Sequence, residues 1–207
     1  MSPTKNAVEA DVHRAIQLLR SGGVVAFPTE TYYGLAVDPW QPRALERLYR
    51  VKQRSRTLPT LVLVAGPEQM SLLAAEVPAV YDPLIRAFWP GPLTLVCPAR
   101  PGLPELLTGQ TGTVGLRHSP SPVANRLIAA LGRPITATSA NISGQPAATT
   151  AAEAANFLGD KVDLILDGGA TPGGCGSTLV GLRNGTPVCL REGKIPFSSV
   201  AAVHAGR

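Results

Sequence analysis

Helix-like and strand-like patterns of apolar residues alternate along the chain. Val12, Ile16 and Leu19 recur at the spacing of an amphipathic helix and predict a helix over 9–20. The apolar run 24–27 then predicts a buried strand. Further helices are predicted after Pro42, over 68–76, over 80–88, over 121–131 and after Thr150, and further strands over 61–64, 93–97, 113–117, 134–140 and 162–166.

Cap and turn residues mark the ends of several of these elements. Ser121 and Thr150 are each placed as helix N-caps, and Thr150 has the glutamate three residues later that completes a capping box. Asn184-Gly185 lies between apolar segments and predicts a hairpin that joins 178–182 to 187–191.

The alternating order of helices and strands predicts an α/β fold. A single domain over 1–207 is expected, with one mixed sheet and flanking helices, because no repeat and no long linker divides the chain. Hydrophobic residues make up 44% and charged residues 16% of the sequence, which is enough apolar material for a core.

Composition excludes several classes of protein. No apolar run is long enough to cross a membrane, and the N-terminal residues lack the apolar core of a signal peptide, so a cytoplasmic location is expected. The three cysteines are odd in number and widely spaced, which fits neither a disulfide framework nor a zinc site. The three histidines belong to no metalloprotease motif, and the common glycine-rich phosphate loops are absent.

The net charge of +5 suits an anionic ligand, either a nucleotide or RNA, although it also fits ordinary solubility. The distribution is more informative, because six basic residues and one acidic residue, Glu46, lie between positions 43 and 56. The basic residues are Arg43, Arg47, Arg50, Lys52, Arg54 and Arg56.

Four polar clusters carry candidate chemistry, at 28–35, 52–56, 139–144 and 167–178. The basic cluster can neutralise phosphate, and the glycine-rich cluster lets backbone amides approach an anion. Each also has a structural interpretation: a strand-exit loop, a solvated helix end, a tight turn and a flexible loop. Arg117 and Arg191 each end an apolar strand, where they fit either an anion site or a salt bridge at the sheet edge.

Seven motifs follow one another in a fixed order. They are Pro28-Thr29-Glu30-Thr31-x-Tyr33-Gly34-Leu35, Lys52-x-Arg54, Phe88-Trp89-Pro90-Gly91-Pro92-Leu93-Thr94, Thr113-Val114-x-x-Arg117, Ser139-Ala140-Asn141-x-Ser143-Gly144, Ser177-Thr178 and Leu190-Arg191-x-Gly193. In these motifs, from about Val24 to Arg191, the chain resembles the YrdC-like family of threonylcarbamoyl-AMP synthases. One such motif is weakly specific, whereas seven in order are highly specific.

The resemblance implies a twisted α/β domain with a large, positively charged concave site. It also implies that L-threonine, bicarbonate or CO₂, and ATP are converted to threonylcarbamoyl-AMP and pyrophosphate. That product serves the N6-threonylcarbamoyl modification of adenosine (t6A) in tRNA, so a tRNA-modifying threonylcarbamoyl transferase complex, or tRNA itself, is an expected partner. Mg²⁺ is expected with ATP, and no metal-ligating residue is assigned.

Site residues follow from the matching motif positions. The resemblance implies that L-threonine is held by Thr31, Arg117, Ser139 and Ser177, and ATP by Lys52, Arg54, Thr113, Asn141, Thr149 and Arg191. Lys52 and Arg54 are the expected catalytic residues, because their charge would stabilise the departing pyrophosphate.

The chain departs from the family pattern at four positions. Leu58 stands where a polar nucleotide contact is usual, Leu63 where some members carry histidine, Glu192 in place of proline, and Tyr32 in place of a smaller apolar residue. These departures keep open a relative with another acyl donor, such as one that adenylates carbamoyl phosphate, and a relative that binds nucleotide without turnover. The basic stretch 43–56 keeps open a paralogue that binds double-stranded RNA or tRNA without this activity.

Overall fold

The computed structural model describes residues 3–206, with side-chain surroundings from residue 11 onwards. Its helices are α1 Pro3–Arg20, α2 Pro42–Lys52, α3 Asp82–Phe88, α4 Glu105–Thr108, α5 Pro122–Leu131, α6 Ala151–Leu158 and α7 Phe197–His204. Its strands are β1 Val25–Pro28, β2 Tyr33–Ala36, β3 Val62–Val64, β4 Leu93–Pro98, β5 Thr113–His118, β6 Ile135–Thr136, β7 Thr138–Ser139, β8 Leu164–Ile165, β9 Thr178–Arg183 and β10 Thr186–Arg191.

The strands form two mixed sheets. The α/β class is confirmed, but the expectation of one sheet was wrong. One sheet has four strands in the order β7-β2-β1-β8, and the other has six in the order β10-β9-β4-β5-β3-β6. Within the six-stranded sheet, parallel pairs β4–β9 and β3–β5 alternate with antiparallel ones.

The chain passes from one sheet to the other inside the segment that the sequence predicted as a single strand over 134–140. β6 pairs with β3 in the six-stranded sheet, and β7 pairs with β2 in the four-stranded sheet. Thr136 links the two sheets, because its hydroxyl accepts a bond from Val37 N (2.9 Å) and donates one to Leu35 O (3.2 Å). Beyond this crossing, Ser139 pairs with Gly34 of the four-stranded sheet.

The polar cluster at 28–35 forms the turn and second strand of a β-hairpin. It is not the simple strand-exit loop that was the structural alternative for this cluster. β2 runs antiparallel to β1, with Phe27 opposite Gly34. Thr29 closes the turn between them, since its hydroxyl donates to Tyr32 O (2.7 Å) and accepts from Thr31 N (3.2 Å). The turn therefore fixes Thr31 at the end of the four-stranded sheet.

Two buried clusters form the core on opposite faces of β1 and β3. Val24 and Ala26 face one cluster, whereas Val25 and Phe27 face the other, which α1 and α5 cover. Burial on both faces explains why these strands are continuous apolar runs rather than alternating ones.

The predicted helix caps and hairpin are confirmed. Ser121 Oγ accepts from Ala124 N (3.4 Å), and Thr150 Oγ1 accepts from Glu153 N (3.1 Å). Asn184 and Gly185 have φ values of 51° and 76°, the left-handed pair that a tight two-residue hairpin turn requires.

One local expectation was wrong, and two helices were missed. The predicted helix over 68–76 is a 3₁₀ segment, Pro67–Leu72, in which bonds such as Leu73 N to Met70 O (3.0 Å) span three residues. The sequence pattern missed α7, which packs on α3. The sequence pattern also missed α4, because four residues are too few to show helical periodicity.

Candidate functional site

A cavity of about 560 Å³ is lined by residues of both sheets. Its walls come from the β1–β2 turn, the loop after α2, strands β4, β5 and β7, and the segment before β9. Seven of the predicted site residues line this cavity: Thr31, Arg54, Thr113, Arg117, Ser139, Ser177 and Arg191.

Three predicted site residues, Lys52, Asn141 and Thr149, are not among the residues that line the cavity. Asn141 is bonded through both side-chain atoms to its own loop, with Oδ1 accepting from Ser139 Oγ (2.7 Å) and Nδ2 donating to Gln145 O (2.5 Å). Thr149 Oγ1 donates to the Glu153 carboxylate (2.8 Å). The side chains of Asn141 and Thr149 therefore stabilise the loops next to the cavity and do not line it.

Lys52 is buried, with 1% of its surface exposed. Its Nζ donates to Ser139 O, to Asn141 O (3.0 Å) and to Asn141 Oδ1 (2.8 Å). Its own carbonyl accepts from Ser143 N (2.8 Å). One lysine at the end of α2 therefore fixes the segment 139–143, which carries Ser139 into the cavity.

Burial, together with a smaller effect of the nearby Arg54 cation, lowers the pKa of Lys52 to about 7. The unfolded chain keeps the ordinary, higher pKa of lysine, so between pH 7 and about 10 the unfolded state binds the extra proton. Stability from this group is therefore lowest below pH 7 and rises with pH.

We expect the free energy of unfolding of the natural chain to rise, relative to a Lys52→Met variant, as pH increases from 7 to 9. The slope should reach at most about 1.4 kcal/mol per pH unit. Urea unfolding at several pH values measures it. A pH-independent difference between the two proteins would show that Lys52 keeps its ordinary pKa.

Arg54 reaches the cavity because Gln53, with a φ of 49°, ends α2 in the left-handed conformation and reverses the chain. The guanidinium is braced on its own loop, with Nη2 donating to Pro59 O (2.9 Å) and Nε to Leu58 O (3.3 Å). The bracing directs the group without using all five of its N–H donors.

Arg191 and Ser177 join the two predicted subsites. Arg191 Nη2 donates to Ser177 O (2.8 Å) and Ser177 Oγ (3.3 Å). Thr94 lies behind this pair, with its Oγ1 at 2.8 Å from Ser177 Oγ. Thr94 belongs to one of the seven sequence motifs, but the motif indicates no role for it. The pairing of β4 with β9 is what brings Thr94 to the cavity.

Arg117 is almost completely buried beside the cavity and faces Glu30, with 3.3 Å between Nη1 and Oε1. The pKa of the Arg117 guanidinium is lowered, mainly by desolvation. The Glu30 carboxylate opposes this shift, and the Arg191 cation adds to it. Desolvation also lowers the pKa of Arg191, and Arg54 adds to that effect. Like charges thus destabilise one another here, and an anionic ligand would relieve the repulsion.

The four departures from the family pattern fall in different surroundings. Leu58 and Tyr32 line the cavity, whereas Leu63 is fully buried in the core cluster beneath α1 and α5. Glu192 also lines the cavity, but its Oε1 accepts from Phe197 N at the start of α7 (3.0 Å). That bond partly offsets the charge that Glu192 brings to the site.

Tyr32 ties the glycine-rich cluster to the cavity rim. Its hydroxyl donates to Gly174 O (2.8 Å), and the neighbouring Gly173 N donates to Thr31 O (2.8 Å). The glycine-rich segment is therefore a wall of the site, with Cys175 and Gly176 among the lining residues.

The basic stretch 43–56 is divided by the fold. Lys52 is buried, Arg54 lines the cavity, and Arg47 pairs with Asp163 at 2.6 Å. Arg43, Arg50 and Arg56 are left exposed on the surface. Binding of an RNA backbone along this stretch stays a prediction.

Neither a metal cluster nor a membrane helix is found in the part of the chain that the structure describes. Among the side chains that the structure describes, those of residues 11–206, no group of three or more His, Cys, Asp or Glu is placed to hold a metal ion. Within residues 3–206, no helix has both the length and the apolar character that crossing a membrane requires.

The fold and the cavity define an α/β protein with an arginine-lined cavity between two mixed sheets. The chain belongs to the Sua5/YciO/YrdC family, whose model carries the description "telomere recombination" and matches residues 17–193.

Similarity to individual proteins extends over most of the chain. A threonylcarbamoyl-AMP synthase from Pyrococcus abyssi is 40% identical over 195 residues, which are 94% of this chain and 57% of that protein. A putative threonylcarbamoyl-AMP synthase from Mycobacterium tuberculosis is 39% identical, covering 91% of this chain and 87% of its own length. The crystal structure of P. abyssi Sua5 complexed with L-threonine superposes with a TM-score of 0.89 at 40% identity, over 93% of this chain and 56% of that one. The chain thus spans little more than half of the P. abyssi protein.

Proposed function

We propose that this chain synthesises threonylcarbamoyl-AMP from L-threonine, bicarbonate and ATP, and releases pyrophosphate and water. The observation that carries the proposal is the meeting of three arginines, Arg54, Arg117 and Arg191, around one cavity. Relatives with about 40% identity bear the name of this synthase, and one of them is described with L-threonine bound.

The two substrates are assigned to two sides of the cavity. L-Threonine is proposed to bind among Thr31, Arg117, Ser139 and Ser177, and the triphosphate near Arg54, Thr113 and Arg191. The bond between Arg191 and Ser177 (2.8 Å) marks the boundary between these sets. The reacting atoms of the two substrates are therefore expected to meet beside it.

The chemistry needs little acid–base work from the protein. The threonine amine captures CO₂ as a carbamate, a carbamate oxygen attacks the α-phosphorus, and pyrophosphate leaves. Positioning and charge neutralisation by the arginines supply the main rate enhancement. Lys52 contributes by holding 139–143.

Mg²⁺ is proposed to enter as the metal complex of the substrate ATP. Among the described residues, Glu192 is the acidic side chain that lines the cavity, and one of its oxygens is bonded to the start of α7. This donor set suits a metal held chiefly by the phosphates. The product would pass to a tRNA-modifying threonylcarbamoyl transferase, and a cytoplasmic location stays a prediction from the sequence.

Pyrophosphate release tests the proposal through omission of each substrate. We expect release to require ATP with Mg²⁺, L-threonine and bicarbonate together, because the carbamate is the attacking group. Release that is independent of threonine but requires carbamoyl phosphate would instead identify a carbamoyl-adenylating enzyme. Absence of release, with salt-sensitive RNA binding, would support the RNA-binding alternative.

A further inference from the structure

Glu30 and Arg117 form a buried ion pair between the two sheets. Glu30 lies in the β1–β2 turn of the four-stranded sheet, and Arg117 lies on β5 of the six-stranded sheet. Their side chains are 12% and 4% exposed, respectively. Because Glu30 does not line the cavity while Arg117 does, the carboxylate supports the arginine from behind.

A series of bonds fixes the Glu30 carboxylate in place. Its Oε2 accepts from Ser119 Oγ, and that hydroxyl in turn accepts from Ser121 N (3.1 Å). Ser121 Oγ donates to Pro28 O (2.7 Å) and caps α5. The Glu30 carboxylate is thus anchored to the start of α5 on one side and contacts Arg117 on the other.

The contact with Arg117 is incomplete. The charges are 3.3 Å apart, yet Glu30 Oε1 and Arg117 Nε are both buried without a hydrogen-bond partner among the described residues. Buried polar atoms without partners cost free energy, and a functional group often accounts for them. A carboxylate bound at Arg117 would supply the acceptor that the guanidinium lacks.

We propose that Glu30 is a positioning residue, which orients Arg117 towards the carboxylate of the amino-acid substrate and sets the affinity for that substrate. The inference rests on the proposed function, because it takes the ligand of Arg117 to be an amino acid. Glu30 also balances the charge of a buried guanidinium that stands close to a second cation, Arg191. Without Glu30, Arg117 would be repelled by Arg191 and would lose its orientation.

The test is a Glu30→Gln variant, with L-threonine binding and ATP binding titrated separately by calorimetry. We expect threonine affinity to fall by at least about tenfold, the loss of one charge-assisted contact. ATP affinity should change by less than about threefold, because its proposed contacts lie elsewhere. In turnover, KM for threonine should rise more than kcat falls.

Asp38→Asn is the matched control, because Asp38 is also a buried carboxylate paired with an arginine, Arg133, at 3.1 Å. It does not line the cavity. Both variants should lower the melting temperature, but only Glu30→Gln should weaken threonine selectively. If the two variants weaken threonine and ATP alike, Glu30 has a structural role only and the inference fails.

A double-mutant cycle shows whether Glu30 acts through Arg117. In an Arg117→Lys background, Glu30→Gln should have little further effect on threonine affinity. Ser119→Ala keeps both charges and should weaken threonine by a few-fold, so it serves if Glu30→Gln folds poorly. Full additivity in the cycle, or an unchanged threonine affinity in Ser119→Ala, would overturn the inference. If the natural chain binds ATP but no threonine, the proposed function itself is wrong.

Discussion

Arg54→Ala will lower the rate of pyrophosphate release by about 100-fold or more, the typical loss when one preorganised charge donor is removed from a site of this kind. Arg54 follows α2, and its guanidinium lines the cavity. Hydrogen bonds to Leu58 O and Pro59 O hold the guanidinium in that position. The bonds that it makes lie within one surface loop. The melting temperature should therefore change little.

Arg56→Ala is the matched control for this prediction. Arg56 lies two residues further on, is exposed, and does not line the cavity. Its removal changes the net charge by the same amount and should leave the rate within about twofold, since distant surface charges are screened by salt. Equal losses in both variants would mean that the basic stretch acts as a surface and not through Arg54 in the cavity.

Lys52→Ala will abolish measurable turnover by a different route. The substitution removes the three bonds from Nζ that hold 139–143. Asn141 O then loses its donor, whereas Ser139 O keeps Asn141 N (3.0 Å) and Asn141 Oδ1 keeps Ser139 Oγ (2.7 Å). Ser139 would then lose its place in the cavity. We expect the affinity for both threonine and ATP to fall, and the melting temperature to drop by roughly 5–10 °C.

Stability and turnover measured together separate Lys52 from Arg54. The removal of an exposed lysine, Lys161→Ala, should change neither quantity. If Lys52→Ala keeps its melting temperature and its threonine affinity, and loses only the rate, then Lys52 contacts the phosphates directly. That outcome would favour the original sequence prediction for Lys52 over a role in holding 139–143.

The fold class could be predicted from local patterns, and seven of the ten site residues that the family resemblance implied line the cavity. Thr31, Arg54 and Ser177 belong to short motifs at the ends of predicted elements, and all three line the cavity. A residue in such a motif can be assigned to the site once the strand or helix that precedes or follows it is predicted correctly. The α2 helix and the β9–β10 hairpin satisfied that condition.

Contacts between distant segments could not be predicted in the same way. Glu30 and Arg117 are far apart in sequence and on different sheets, so nothing in either local pattern indicates that they pair. The surroundings of Lys52 could not be predicted from local sequence either. Its charge suggested a phosphate contact, whereas the burial that turns its amine towards Ser139 and Asn141 depends on how α2 packs.

The division of 134–140 into two strands had a related cause. The segment is a run of apolar and small polar residues that fits one strand. Its sequence has no glycine, proline or other turn residue at Ala137 that would indicate a break. The break comes from pairing, since β6 joins β3 and β7 joins β2. Only the complete set of strands shows that the chain changes sheet at this point and so brings Ser139 to the cavity.

Product identity tests the central claim most directly. The natural chain would be incubated with ATP, Mg²⁺, L-threonine and bicarbonate labelled with heavy carbon, and the products would be analysed by mass spectrometry. We expect a species with the mass of threonylcarbamoyl-AMP that carries the label, in step with pyrophosphate. Pyrophosphate release without a labelled threonine adduct, or an adduct that forms from another carbamoyl donor, would contradict the account.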